Sequence, residues 1–209
     1  LLTENFGEYG GEKVFDYEHV GVANNSMDFD EYLKLNKLSV LLEVLFNSSI
    51  FYEIERFVSD HNLKYSDFII LVFQELDYSC DKIKEIFDSV IQETKETLFD
   101  TEESLLEFLD DDAIFEKLKA EEIGTNIKFK HKALLFINAL PEWIEFVFSC
   151  LRKFIGVGDL SDHEITELEN YTKSKLYGVL DSKLTNHGID KTFSYDFQKW
   201  LHQQEEPLP

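Results

Sequence analysis

The sequence SMDFDEYLKLNKLSVLLEVLFN, residues 26–47, decides the fold class, because its apolar residues recur every three or four positions, the spacing of one face of a helix. Asp28 and Glu31 have the spacing of a capping pair, which predicts that this helix begins beside Asp28 and ends near residues 47–49. The apolar face is formed by Phe29, Leu33, Leu35, Leu38, Leu41, Leu42, Leu45 and Phe46. A helix with such a wide apolar face must bury it against other elements.

Apolar residues at helical spacing continue from residue 51 to residue 202 and predict a multi-helix, bundle-like domain. Asp100 and Glu103 are spaced as a second capping pair, in front of a helix expected to run to Leu118. Residues 143–155 are the most apolar segment and cover more than one helical face. This helix is therefore predicted to lie centrally.

Residues 1–25 differ in composition from the rest of the chain, because they contain four of the nine glycines and several β-favouring residues. The adjacent Gly10 and Gly11 can provide the positive φ angles of a tight turn, which predicts a short hairpin. A two-stranded hairpin is marginally stable alone and needs a larger sheet or a layer of helices beside it. The predicted fold is mainly α with a short N-terminal β-ribbon. We expect residues 1–25 to form an extended or β-ribbon linker from a preceding domain, and residues 26–205 to form a helical C-terminal domain.

The 209 residues include 20 lysines and arginines against 42 aspartates and glutamates, a net charge of −22. A surface this acidic repels phosphate backbones and anionic lipid headgroups, so the composition argues against nucleic-acid and membrane partners. Hydrophobic residues make up 44% of the chain, which is enough to form a buried core. Cys80 and Cys150 alone cannot form a disulfide framework, and this cysteine usage favours a reducing, cytoplasmic location.

The motifs that would identify a catalytic or metal centre are missing from the sequence. His163 and Glu167 resemble half of a zincin motif, but the second histidine is absent. The run Asp110–Asp112 lacks the alternating ligands and central glycine of a calcium loop, so it is interpreted as a solvated helix end or a kink. Neither Cys80 nor Cys150 is accompanied by a recognisable base, and both are interpreted as buried or shielded thiols. We therefore expect no catalytic residue and no metal site in this chain.

Three stretches in the first third of the chain carry a family resemblance. They are GEYGGEKVFDYEHV at residues 7–20, GVANNSMDFDEYL at residues 21–33 and LLEVLFN at residues 41–47. Over residues 1–76 the chain resembles the region just downstream of the barrel in radical SAM proteins of the cobalamin-binding type. In that family a short extended segment leaves the barrel, an Asn-Ser-Met-like turn opens a helix, and a helical C-terminal region follows. The sequence has the same order.

The resemblance implies a non-catalytic helical C-terminal accessory domain that helps to enclose the active site of a radical SAM enzyme or to select its substrate. It implies a [4Fe-4S] cluster, S-adenosylmethionine and cobalamin for the parent protein, none of them bound by this chain. The partner that it implies is the preceding radical SAM barrel of the same polypeptide. The candidate substrate-contact residues lie where ribbon becomes helix, and they are Tyr17, His19, Asn24, Asn25 and Ser26. Turn formation and helix capping are the alternative roles of these residues.

Two other interpretations remain open on the sequence alone. A freestanding acidic helical module would present an aromatic groove to a basic amphipathic helix of a partner protein. A carboxylate-metal bundle would require that burial bring unmatched carboxylates together.

Overall fold

The computed structural model describes residues 1–120, 122–156, 159–180 and 191–202. Within these ranges the chain is mainly helical with a two-stranded N-terminal hairpin, which confirms the predicted fold class. The strands are β1 (Leu2–Tyr9) and β2 (Glu12–Glu18). The helices are α1 (Phe29–Leu42), α2 (Tyr52–Asp60), α3 (Tyr65–Glu75), α4 (Asp81–Glu96), α5 (Glu102–Asp110), α6 (Asp112–Lys119), α7 (Ile127–Asn138), α8 (Leu140–Ile155), α9 (Asp159–Leu180) and α10 (Phe197–His202).

Gly10 and Gly11 form the two-residue turn of the hairpin, with φ angles of 63° and 85°. A residue without a Cβ adopts such angles without strain, which is why adjacent glycines are typical of this turn. Tyr9 pairs with Glu12 beside the turn, and an antiparallel register continues from there to Asn5 and Asp16, beyond which it shifts by one residue on β1. The predicted hairpin is confirmed.

Reciprocal capping fixes the beginning of α1. The Asp28 N–H donates to Glu31 Oε2 at 2.9 Å, and the Glu31 N–H donates to Asp28 Oδ1 at 2.8 Å. A π-helical segment, Glu43–Asn47, continues α1 beyond Leu42. The beginning and the end predicted for this helical run are therefore both confirmed.

The single helix expected after residue 100 is instead two helices, α5 and α6, which meet at Asp111. The predicted capping pair of Asp100 and Glu103 is wrong by one residue, because Thr101 caps α5 and accepts from the Ser104 N–H at 3.2 Å. Asp111 has an extended backbone, and its side chain accepts from the first N–H groups of α6. The run Asp110–Asp112 is thus a kink between two helices, which is one of the two interpretations that the sequence allowed.

Contacts divide the chain into two compact units. The first contains Leu1–Val40 and Glu85–Ala133, and the second contains Leu41–Lys84 and the described residues from Leu134 onward. The domain boundary predicted after residue 25 stays a prediction, and the last residues of the predicted helical domain, 203–205, lie outside the described ranges.

In the second unit, α8 packs against α3 and α9. Its buried side chains are Leu140, Trp143, Ile144, Val147, Phe148, Cys150 and Leu151. They form one wide face of α8, opposite the exposed Glu145 and Ser149, and the predicted central position stays a prediction.

Two buried polar connections join helices inside the second unit. Glu53 of α2 is 1% exposed, and its carboxylate accepts from Lys175 Nζ at 2.6 and 2.8 Å and from Thr172 Oγ1 at 2.7 Å. Both donors belong to α9. The Asp60 carboxylate of α2 accepts from Trp200 Nε1 at 2.7 Å, which holds α10 against α2. These contacts satisfy charges that would be costly to bury alone.

Candidate functional site

The candidate residues surround the junction between β2 and α1, in the first unit. Backbone hydrogen bonds bridge Asn24 and Met27, and the Asn24 side chain accepts from the Ser26 N–H at 2.7 Å. Asn24, Asn25 and Ser26 are all exposed. The geometry therefore gives Asn24 a turn-forming role, while Asn25 and Ser26 are accessible on the turn.

Tyr17 and His19 lie at the end of β2 and just beyond it, with ring centroids 6.3 Å apart in an edge-to-face arrangement. A hydrogen bond to the Glu102 carboxylate, followed by desolvation and the negative charge of Glu102, raises the pKa of Tyr17. The phenol therefore stays neutral at physiological pH and donates to Glu102. Tyr17 and His19 are brought together, and the role of all five candidate residues as substrate contacts stays a prediction.

The hairpin rests on a layer of helices from the same chain, formed by α5 and α6. Phe115 of α6 is 3% exposed, and the rings of Phe6 and Phe15 meet it edge-on at centroid distances of 6.1 and 5.9 Å. The ammonium groups of Lys13 and Lys119 lie 5.2 and 5.1 Å from the centre of the Phe115 ring. Beneath these rings, the core consists of Leu105, Leu109 and Leu118.

The sequence predicts that the hairpin needs a supporting layer, but it does not show which residues form that layer. The signal was present on β2, where Phe15 and Tyr17 alternate with exposed residues and are both packed against the α5–α6 core. Alternation of this kind indicates that one face of a strand is covered. It does not indicate which part of the chain covers it.

The two edges of the hairpin differ. Leu1 and Phe99 exchange two backbone hydrogen bonds, of 2.6 and 2.9 Å, so the chain between α4 and α5 pairs with the beginning of the β1 strand. On β2, the alternation of the antiparallel ladder directs the N–H and C=O groups of Lys13, Phe15 and Tyr17 away from β1. No hydrogen bond between described residues uses these backbone groups. The β2 edge is therefore free along its length within the described part of the chain.

Two adjoining open depressions lie along this edge, between β2 and α5. One, of about 370 Å³, is lined by Lys13, Phe15, Leu106, Glu107 and Asp110. The other, of about 580 Å³, is lined by Gly11, Glu12, Lys13, Asp110 and Asp112. The Lys13 ammonium bonds to Asp112 Oδ1 at 2.8 Å and to the Asp110 carbonyl. Its hydrogen bond lowers the pKa of Asp112, so this carboxylate is ionised at neutral pH.

Negative charge is concentrated on the hairpin and on the helices beneath it. Residues 1–18 contain five acidic side chains and one basic one, Lys13. Residues 96–119, which include all of α5 and α6, contain nine acidic side chains and two lysines, Lys117 and Lys119. These 42 residues have three bases against fourteen acids, a net charge of −11, which is half of the total of −22. The charge is thus local enough to select the charge of a partner.

A buried histidine in the first unit has a structural role. His131 of α7 has Nδ1 at 2.8 Å from the Ile127 carbonyl and Nε2 at 3.0 Å from Ser89 Oγ of α4. The carbonyl can only accept, so Nδ1 carries a hydrogen atom and Nε2 faces the serine hydroxyl. Nδ1 therefore bonds within α7, and Nε2 joins α7 to α4.

The two cysteines have different surroundings. Cys80 is exposed, whereas Cys150 is buried in α8, where desolvation raises the pKa of its thiol to about 11. A thiol with that pKa is protonated at neutral pH and is a poor nucleophile. Among the described residues, no group of three or more His, Cys, Asp and Glu side chains is arranged to hold a metal ion.

None of the described helices is by itself long and apolar enough to cross a membrane, whereas α7 and α8 meet the length and composition criteria when taken together across their bend. No family model, curated protein or solved structure matches the chain. The fold and the site therefore define the class only as a mainly helical chain with an acidic, helix-supported hairpin.

Proposed function

We propose that this chain is the helical C-terminal accessory domain of a radical SAM enzyme of the cobalamin-binding type, in which it helps to enclose the active site or to select the substrate. The observation that carries the proposal is the order of local structures over residues 1–47. An extended hairpin, the Asn24–Met27 turn and a capped helix follow one another. This order supports the proposal because it is the order of the family that these residues resemble.

The proposal assigns the cofactor chemistry to other domains of the parent polypeptide. The cluster of this family needs three thiolates in a Cys-x-x-x-Cys-x-x-Cys motif, whereas Cys80 and Cys150 are 70 residues apart. One of these thiols is exposed and the other is buried. The residues of this chain do not fit a [4Fe-4S] cluster, and no step of a reaction is assigned to them.

The candidate contact residues offer hydrogen-bonding groups of several kinds. Tyr17 provides a neutral phenol, His19 an exposed imidazole, and the turn at residues 24–26 provides amide and hydroxyl groups. Such groups suit the orientation of a polar substrate. A helical domain that covers the mouth of a barrel also excludes water from a radical intermediate.

The proposal is tested first by reading the coding sequence upstream of Leu1. We expect an open frame that encodes the Cys-x-x-x-Cys-x-x-Cys motif. The whole polypeptide, purified and reconstituted without oxygen, should then cleave S-adenosylmethionine reductively to 5′-deoxyadenosine. Replacing one cysteine of the motif should abolish the cleavage. A start codon directly upstream of Leu1 would overturn the proposal.

The second candidate is a freestanding acidic interaction module that binds a basic partner. The net charge of −11 on the hairpin and its supporting helices favours it. Under this proposal the isolated chain is monomeric and unfolds cooperatively. Analytical ultracentrifugation and urea unfolding test these two properties, and self-association of the chain at micromolar concentration would count against it.

A further inference from the structure

We propose that the free edge of β2 is a docking site for an extended, basic segment of a partner protein, which joins the hairpin as a third strand. The proposal rests on the unpaired backbone groups of β2, the open depressions between β2 and α5, and the charge around them. It holds whether the chain belongs to a radical enzyme or acts alone.

The backbone of β2 presents three pairs of hydrogen-bonding groups at regular intervals. The N–H and C=O groups of Lys13, Phe15 and Tyr17 point away from β1, and no described residue bonds to them. An added strand lies about 4.8 Å from its neighbour, so it can use these groups without disturbing the existing ladder. This is the geometry by which extended peptides extend a sheet.

The depressions beside this edge provide places for the side chains of the added strand. Phe15 and Leu106 contribute apolar surface, Glu107 and Asp110 contribute negative charge, and Lys13 and Asp112 neutralise each other as an ion pair. Successive residues of a strand point to opposite faces, so alternate residues of the peptide face the depressions. An apolar residue suits the surface between Phe15 and Leu106, and a lysine or arginine suits the acidic end.

Charge decides between a basic partner and a second copy of the chain. The hairpin and its supporting helices, residues 1–18 and 96–119, have a net charge of −11, and Lys13, the lysine on the β2 edge, is already bonded to Asp112. Two such edges would bring like charges together along the whole contact, which disfavours pairing between copies. A basic segment gains attraction over the same length.

The test uses a synthetic seven-residue peptide of alternating lysine and valine, as long as β2. Fluorescence anisotropy with the full chain gives its affinity, and amide hydrogen exchange locates its contacts. We expect binding to slow exchange at Lys13, Phe15 and Tyr17, since these amides gain partners. Val14 and Asp16 point into the ladder and should change little. A peptide N-methylated at alternate residues should bind about tenfold more weakly, because it lacks donors.

Two proline variants provide a matched comparison, because Glu8 and Lys13 are opposite each other in the register. Lys13→Pro removes an outward N–H from β2, whereas Glu8→Pro removes one from β1. We expect Lys13→Pro to weaken peptide binding about tenfold relative to Lys13→Ala, which keeps the N–H, and Glu8→Pro to leave it nearly unchanged. If attraction between net charges alone governed binding, Lys13→Pro would bind the basic peptide more tightly than Glu8→Pro, because the first change makes the chain more negative and the second makes it less negative. Slow exchange at Val14 verifies that each variant keeps its hairpin.

Several outcomes would overturn the proposal. Equal affinity for the plain and N-methylated peptides would show adhesion by charge alone, and protection of β1 amides would place the peptide elsewhere. Concentration-dependent protection of the β2 amides without peptide would make a second copy the occupant. The N-methylated peptide keeps the test decisive if Lys13→Pro unfolds the hairpin. None of these outcomes affects the upstream-sequence test of the proposed function.

Discussion

Replacement of Lys175 by methionine is expected to destabilise the chain more than replacement of Glu53 by glutamine. The Glu53 carboxylate is 1% exposed, and two of its three hydrogen bonds come from the Lys175 ammonium. Lys175→Met keeps the aliphatic part of the side chain but leaves the buried carboxylate with Thr172 alone. Removing one partner of a buried ion pair costs about 3–5 kcal/mol. Since the Lys175 side chain is 33% exposed, water reaches the vacated position, and the lower limit of that range applies.

Glu53→Gln has a smaller expected cost. The glutamine oxygen still accepts from Thr172, and the Lys175 ammonium keeps its bond to the Ile50 carbonyl and its access to solvent. The amide NH2 that replaces Oε2 cannot accept from the Lys175 ammonium, so one charged hydrogen bond is lost and the expected cost is about 2 kcal/mol. The double variant Glu53→Leu with Lys175→Met removes both charges, so its unfolding free energy should lie within about 1 kcal/mol of the native value.

Urea unfolding of the full chain, followed by far-ultraviolet circular dichroism, measures these differences. Lys173→Met is the matched control, because Lys173 lies on the same helix and bonds at 2.7 Å to Glu169, whose side chain is 13% exposed and keeps its bond to Arg152. Its cost should stay below about 1 kcal/mol. The reasoning is refuted if Lys175→Met and Glu53→Gln cost the same, or if the double variant is as unstable as Lys175→Met alone.

Three further predictions concern the hairpin and the thiols. Phe115→Ala removes the ring on which the hairpin packs, so the unfolding free energy should fall by about 3 kcal/mol and the hairpin amides should exchange faster; unchanged exchange would contradict this. At pH 8 Cys80 should react at once with a thiol reagent, whereas Cys150 should react only after unfolding. The Cys150 pKa of about 11 leaves roughly one of its thiols in a thousand ionised, and equal reaction rates of the two cysteines would contradict this prediction. Gly11→Ala places a Cβ at a φ of 85° and should lower the unfolding free energy by about 1 kcal/mol. Gly10→Asn should lower it by less than about 0.5 kcal/mol, and equal losses for the two variants would argue against a strained turn.

Features set by neighbouring residues could be predicted from the sequence. The Gly10–Gly11 turn and the Asp28–Glu31 cap depend on residues at most three positions apart, so their patterns identify them. The cap of α5 could not be predicted so well, because Asp100 and Thr101 are adjacent and both residue types cap helices. Spacing alone does not choose between them.

The candidate site was only partly predictable for the same reason. The residue types of the turn at 24–26 indicated its conformation, which the Asn24–Met27 bridge displays. The free edge of β2 consists of backbone groups, which every residue except proline has, so no residue type reports it. The layer under the hairpin depends on Phe115, one hundred positions after Phe15, and no local pattern encodes a contact over that distance.

The hairpin is synthesised long before the helix that supports it. Phe115 follows Phe15 by one hundred residues, so at a translation rate of about 5–20 residues per second the hairpin waits roughly 5–20 s for its partner. A hairpin closes within microseconds, but on its own it opens again as readily. During that interval its aromatic face is accessible to chaperones and to other nascent chains on the same message. The five acidic side chains of residues 1–18 keep neighbouring copies apart through mutual repulsion until translation reaches α6.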